Sequence, residues 1–172
     1  MKWFCMIFVV SLVMIFSCSE PLDASKIEIQ KMVLDSASTE PVEVNVPKGA
    51  FEFPGAEPED MLGLYSIYSK KVRADNFAIE VEFTTLSDVD KEQILEEKLG
   101  KLKVDSDSFR LIKKTKDGFF YETKEINGDF SYGFIKLIVT DSKYAVIFPE
   151  PTPEGNVSLE EAGFMYDILN RN

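Results

Sequence analysis

The chain has 172 residues, a formal net charge of −11, no histidine and two cysteines. That charge argues against nucleic acid as a ligand, since phosphate neutralisation by Lys and Arg supplies most of such affinity, and against adhesion to anionic lipid except through an anchor. Without histidine, His-based triads, Cys–His pairs and the usual zinc sites are excluded together.

The first element is an apolar run from Trp3 to Phe16 behind a single positive residue, Lys2. It is shorter than the roughly 20 apolar residues that a membrane-spanning helix needs. A basic start, an apolar stretch and small residues after it match a secretory signal. The residues "IFSC", Ile15 to Cys18, resemble the lipobox of bacterial lipoproteins. The resemblance implies cleavage after residue 17, lipidation of Cys18 and a mature chain that begins there. It also implies a cell-envelope address, at the outer rather than the inner membrane because Ser19, not aspartate, follows the cysteine. Attachment through more than one acyl chain is durable, at about 0.8 kcal/mol per buried CH₂. Cleavage would also remove Lys2 and Cys5, taking the charge from −11 to −12 and leaving no disulfide partner for Cys18. The expected fold therefore stands on packing alone.

Residues 18–41 read as a lipid-anchored tether and N-terminal segment, in which "IEIQKMVLD" is either a short strand or a helical turn. Residues 42–172 read as one α+β domain. "VEVNV", Val42 to Val46, alternates and ends at Pro47, as a strand does. "PKGAFEFPGAEPED" carries three prolines and two glycines and reads as a loop. "MLGLYSIYSKK" and "NFAIEVEFTTL" are strands joined by a tight link; in the second, Phe77, Ile79, Val81 and Phe83 share one face. In "DVDKEQILEEKLGKLK" the period becomes helical. Asp88 or Asp90 caps the start, and Ile94, Leu95, Leu99 and Leu102 form the apolar stripe.

"SFRLIKKTK" and "GFFYETKEI" flank the turn Asp117-Gly118, and Asn127-Gly128 is the strongest hairpin signal. A two-residue turn there pairs Glu125 with Phe130, Thr123 with Tyr132 and Tyr121 with Phe134. One face then gathers Tyr121, Phe130, Tyr132 and Phe134, a candidate lipophilic binding surface, although such a face is also ordinary core. "YAVIF" is a further strand. Ser158 and Glu161 form the S-x-x-E capping box of a final helix with the stripe Leu159, Ala162, Met165, Tyr166 and Leu169.

The expected architecture is a central antiparallel sheet of six to seven strands, with one helix after the third strand and another at the C-terminus. Across residues 42–170 this order resembles the Mog1/PsbP-like α/β/α sandwiches. That family is functionally diverse and mostly binds other proteins, and it supplies no catalytic residues to carry over. A two-layer α+β sheet of another topology satisfies the same pattern.

Acidic clusters are the remaining metal candidates. Asp88, Asp90 and Glu92 alternate like the opening of a calcium loop, but the glycine for its sharp turn is missing, and helix capping accounts for them. Asp105 and Asp107 read as a turn. No metal or cofactor is expected. The proline-stiffened loops "FEFPGAEPED" and "FPEPTPEGN" draw functional interest, because loops on a rigid scaffold often carry function. The expectation is a non-catalytic envelope lipoprotein that binds an envelope or secreted protein or assists assembly. An immunity protein against a basic toxin and a carrier of a small lipophilic ligand are the alternatives. Metabolic labelling with a lipid analogue should tag the wild type and not Cys18→Ala; equal labelling of both would end the lipoprotein reading.

Overall fold

The computed structural model describes residues 21–35, 40–61, 65–86, 90–106, 108–124, 128–150 and 156–171. The apolar run 3–16 and Cys18 lie outside these residues. None of the described helices is long and apolar enough to cross a membrane. After a short 3₁₀ turn at Ala24–Lys26 come β1 (Ile29–Leu34), β2 (Val42–Pro47), β3 (Phe51–Pro54), β4 (Glu59–Met61), β5 (Tyr65–Ala74) and β6 (Phe77–Thr84). Helix α1 (Lys91–Asp105) follows, then β7 (Arg110–Thr115), β8 (Gly118–Lys124), β9 (Phe130–Val139), β10 (Tyr144–Pro149) and helix α2 (Leu159–Asn170).

The fold is α+β. Seven antiparallel strands lie in the order β3-β5-β6-β10-β9-β8-β7, with β4 pairing onto β5 beside β3, while β1 and β2 form a separate two-stranded sheet. The first helix comes after the sixth strand, not the third. Two of the additional strands, β3 and β4, come from the proline-rich segment read as a loop. Proline is tolerated on a sheet edge, where its missing N–H faces solvent, and β3 and β4 occupy such an edge. The third, β1, settles the strand-or-helix ambiguity of "IEIQKMVLD". It pairs with β2 from Ile29↔Pro47 to Leu34↔Val42. The folded body therefore reaches back into the segment read as a tether, because Leu34, Val42, Val44 and Val46 are buried together.

The α2 face of the large sheet holds the main core. Ile79, Val81 and Phe83 of β6, Ile147 of β10 and Phe134 of β9 pack there against α2 and the β1–β2 hairpin. On the opposite face, Ile94, Leu95 and Leu99 of α1 cover Phe119, Ile135, Leu137 and Val146. Local signals set both helices. Asp90 caps α1 by accepting the Glu92 amide at 2.8 Å, and the Ser158–Glu161 capping box opens α2 with both hydrogen bonds present. The stripe expected on α2 is too narrow, since Phe164 and Ile168 are also buried and Leu159 is half exposed. This helix is packed from two sides.

The β8–β9 register differs from the expected one. Lys124 pairs with Phe130, Thr123 with Ser131, Glu122 with Tyr132, Tyr121 with Gly133 and Phe120 with Phe134. The chain reverses over more residues than the two of Asn127-Gly128, and a slip of one residue sends every side chain of one strand to the other face.

A buried ion pair closes the far end of the α2 face. Lys143, in the β9–β10 turn, is 2 % exposed and donates to Asp35 just after β1. Its ammonium also lies 6.0 Å from the centre of the Phe83 ring. Burial works to raise the Asp35 carboxyl, but hydrogen bonds from Lys143 and Tyr68, with the charges of Lys143 and Lys70, outweigh it and hold it below its ordinary range. Burial and the bond to Asp35 push the Tyr68 phenol up. Asp35→Ala leaves a buried ammonium without its counter-charge and should cost about 3–5 kcal/mol in denaturant unfolding. The double variant Asp35→Ala/Lys143→Met should recover most of that loss. A folded-state carboxyl below its unfolded value of 3.8 gives stability that is present above that pH and fades below it. The cost of Asp35→Ala should therefore shrink on acidification.

Candidate functional site

Alternation along β5 and β6 places Lys71, Arg73, Glu80 and Glu82 on the α1 face of the sheet, where Lys71 pairs with Glu80 and Arg73 with Ala78. The apolar residues of α1 reach β8, β9 and β10 on this face. Toward β6 the helix offers instead Lys98, whose ammonium meets Glu82 at 2.7 Å. The remaining half, over β3, β5 and β6, is a lattice of charged and aromatic side chains on rigid strands.

Its centre is Glu150. The Arg73 guanidinium grips this carboxylate at both oxygens, from Nε at 2.7 Å and Nη2 at 2.5 Å, and Lys71 donates to it at 2.9 Å. The Glu150 side chain is 5 % exposed while that of Arg73 is 50 % exposed, so the guanidinium is anchored on one side and offered to solvent on the other. The hydrogen bond from Arg73 outweighs burial and, with Lys71, holds the Glu150 carboxyl below its ordinary range.

Phe51 and Phe53 of β3 stand beside this cluster because β3 pairs Phe51 with Arg73 and Phe53 with Lys71. Their rings meet edge-on with centroids 4.5 Å apart. They remain 52 % and 37 % exposed. Arg73 lies over the Phe53 ring at 5.6 Å. The next turn of chain is pinned to β5: the Ala56 amide donates to Ser69 Oγ at 2.8 Å and that hydroxyl donates to Glu80 at 2.6 Å. Gly55 is required there, since a Cβ would come within 2.6 Å of the Ser69 backbone. The two loops singled out in the sequence thus meet, "FEFPGAEPED" through Phe53 and "FPEPTPEGN" through Glu150. Lys71 and Arg73, which join them, were not singled out. Their signal was the alternation of cations on β5 beside alternating carboxylates on β6, with Lys71 facing Glu80 and Arg73 facing Ala78.

The four aromatic residues expected to share a face do not. Tyr121 lies on the α1 face, stacked on Phe109 at 5.8 Å and set over Gly133. A Cβ at Gly133 would approach the Tyr121 ring to 2.5 Å, so the bare glycine makes room for the phenol. Phe130, Tyr132 and Phe134 lie on the α2 face. Phe134 is fully buried, with the Tyr166 ring 5.4 Å away. Tyr132 hydrogen-bonds Glu122, which Arg110 also holds at 2.9 and 2.8 Å. Phe130 is half exposed, 6.0 Å from the Lys124 ammonium. An aromatic side chain opposite a glycine was the available sign of the true register.

Among the described residues no three carboxylates or cysteines converge as a metal-ligand set. Asp90 is engaged as a cap, while Asp88 and Asp107 lie outside the described residues. No protein-family model matches the chain, and no curated protein or solved structure does either.

Glu150→Gln weakens charge-assisted hydrogen bonds and should lower unfolding stability by about 1–3 kcal/mol at neutral pH. Because the wild-type carboxyl is depressed below 4.5, its contribution is present above that pH and lost as the pH falls below it. Paired denaturation curves should converge on acidification; a constant difference would contradict the role assigned to Glu150.

Proposed function

We propose that this chain is a non-catalytic lipoprotein of the cell envelope, anchored through Cys18, at the outer membrane by the residue that follows it. Its open half-sheet docks another envelope or secreted protein. The observation that carries this reading is the exposed pair Phe51 and Phe53 beside an Arg73 held rigid by Glu150. Aromatic residues and arginine are enriched at interface centres, and side chains already immobilised lose little entropy on binding. The partner would lay an apolar side chain against the two rings and an acceptor group against the free edge of the guanidinium.

The antiparallel sheet with a helix on each face supports the Mog1/PsbP-like sandwich as the fold family, with the first helix displaced to follow the sixth strand. The chain's charge of −11 and the exposed Glu57 and Glu59 along the same edge support one narrower version, an immunity protein that covers a basic toxin. The carrier reading has less support, since Tyr121 is separated by the sheet from the other three aromatic residues.

A photoreactive side chain placed at Phe53 should cross-link one partner in intact envelopes. The same group at Ile112, an exposed residue on the opposite edge, should not. Adding Phe51→Ser and Arg73→Ala to the probe variant should abolish the adduct without unfolding the chain. An adduct that survives both changes would remove this surface from consideration.

A further inference from the structure

We infer that one end of the folded body rests directly against the lipid headgroups: the end formed by residues 21–28, the turn after β2 and the turn between β5 and β6. This inference rests on the anchor at Cys18 and adds the orientation in which that anchor holds the protein.

The first argument is length. The Leu22 amide donates to the Glu160 carboxylate at 2.6 Å. Asp23 caps the 3₁₀ turn by accepting the Ser25 amide at 3.0 Å. Arg171 then holds the carbonyls of Ala24 and Ile27 at 2.5 and 2.7 Å, so the chain is fastened to α2 from Leu22 onward. Between Cys18 and this fastening stand only Ser19, Glu20 and Pro21. Four residue steps span at most about 14 Å even when fully extended. The body cannot swing freely on such a leash.

The second argument is place. Pro21, Leu22 and Ile27 line a groove of about 470 Å³ together with Pro47, Lys48, Asp75 and Asn76. The point where the anchor would join therefore lies beside two tight turns, Lys48-Gly49 and Asp75-Asn76. Gly49 has a φ of +85°, which lets the β2–β3 turn fold back closely. The opposite end of the sheet, the β9–β10 turn, follows from Tyr144 pairing with Thr84 at the far end of β6. The seven residue steps from Phe77 to Thr84 put it roughly 23 Å away.

The third argument is charge. The end nearest the anchor carries Asp23, Glu28 and Asp75 against Lys26 and Lys48, with Lys48 paired to Glu28 at 2.9 Å and Lys26 to Asp23 at 3.8 Å. With Glu20 of the anchoring segment, two carboxylates are left over there, against a net −12 for the chain that begins at Cys18. An excess this small adds little repulsion when that end of an acidic protein faces an anionic surface. In this orientation Phe51, one residue beyond that end, lies low on the strand, so a partner on the open half-sheet is engaged close to the bilayer.

The sequence has one tryptophan, Trp3, ahead of the proposed cleavage point, so a single engineered tryptophan reports alone in the mature chain. Lys48→Trp, Asn76→Trp and Asp141→Trp, all at exposed turn positions, would be made in the full chain. Each acylated product would be reconstituted in vesicles of phosphatidylethanolamine and phosphatidylglycerol, part of the lipid brominated near the ester end of its acyl chains. Tryptophan at 48 and 76 should be quenched several-fold more than at 141. A flexible ten-residue insertion after Glu20 should erase that difference. Mass spectrometry of the same samples separates two failures. An acylated, vesicle-bound protein with equal or negligible quenching at all three sites overturns the orientation and leaves the anchor standing. A product without acyl groups overturns the anchor, and the orientation falls with it.

Discussion

The structure depends on α2 being buried from two sides. The β1–β2 hairpin shares no strand pairing with the large sheet. Its apolar side chains, Leu34, Val42, Val44 and Val46, join the core through the helix and the sheet face beneath it. Ala162, Met165 and Ile168 of α2 belong to that same cluster, together with Ile79, Phe83 and Phe134. Non-directional apolar burial therefore joins two sheets that no ladder of hydrogen bonds connects. A few polar clasps then set the alignment. Asn45 donates to the Arg171 carbonyl, Arg171 reaches back to the segment before β1, and Lys143 locks the far end of the hairpin to the sheet through Asp35.

The two sides of the large sheet differ because one helix cannot cover eight strands. Helix α1 has fifteen residues, which at 1.5 Å each is about 22 Å of helix. It lies over β8, β9 and β10, and there the sheet is apolar. Over β5 and β6 the same face carries cations and carboxylates: Lys71 lies 4.0 Å from Glu80 on the next strand, Arg73 reaches across to Glu150, and Glu82 is met by Lys98 of α1. A sheet face left to water must be polar, and cross-strand ion pairs are one way to make it so. What goes beyond that requirement is the pair Phe51 and Phe53. Exposed aromatic rings gain nothing from water, and their position beside a two-point-held guanidinium is what separates this patch from an ordinary solvated face.

Both edges of the sheet are built to resist a further strand. On one edge Pro54 and Pro58 interrupt the row of donors. On the other, β7 carries Lys113 and Lys114 and a register shift between Leu111 and Lys113. Prolines, lysines and bulges are the usual defences of an exposed edge. Arginine–glutamate grips also fasten the sheet near each edge. Arg73 and Glu150 hold the β5 side of the sheet, and Arg110 and Glu122 tie β7 to β8. A partner is therefore better received on the face than by strand addition at the margin.

The sequence alone determined what neighbouring residues decide. The period-two run from Phe77 to Thr84, the stripe of Ile94, Leu95 and Leu99, the cap at Asp90 and the box at Ser158 and Glu161 all stand where the local pattern puts them. Each rests on contacts within a few residues, which composition and spacing display directly. The tertiary structure decided the remainder. The register of β8 and β9 was misread because a one-residue slip leaves the local strand pattern nearly unchanged, yet it moves Tyr121 to the other face. The second apolar side of α2 became visible only once the hairpin lay against Phe164 and Ile168. The Arg73–Glu150 grip joins residues 77 apart in sequence. Neither member carries a local sign of the other, since only the folding of β5, β6 and β10 into one sheet brings guanidinium and carboxylate within hydrogen-bonding range.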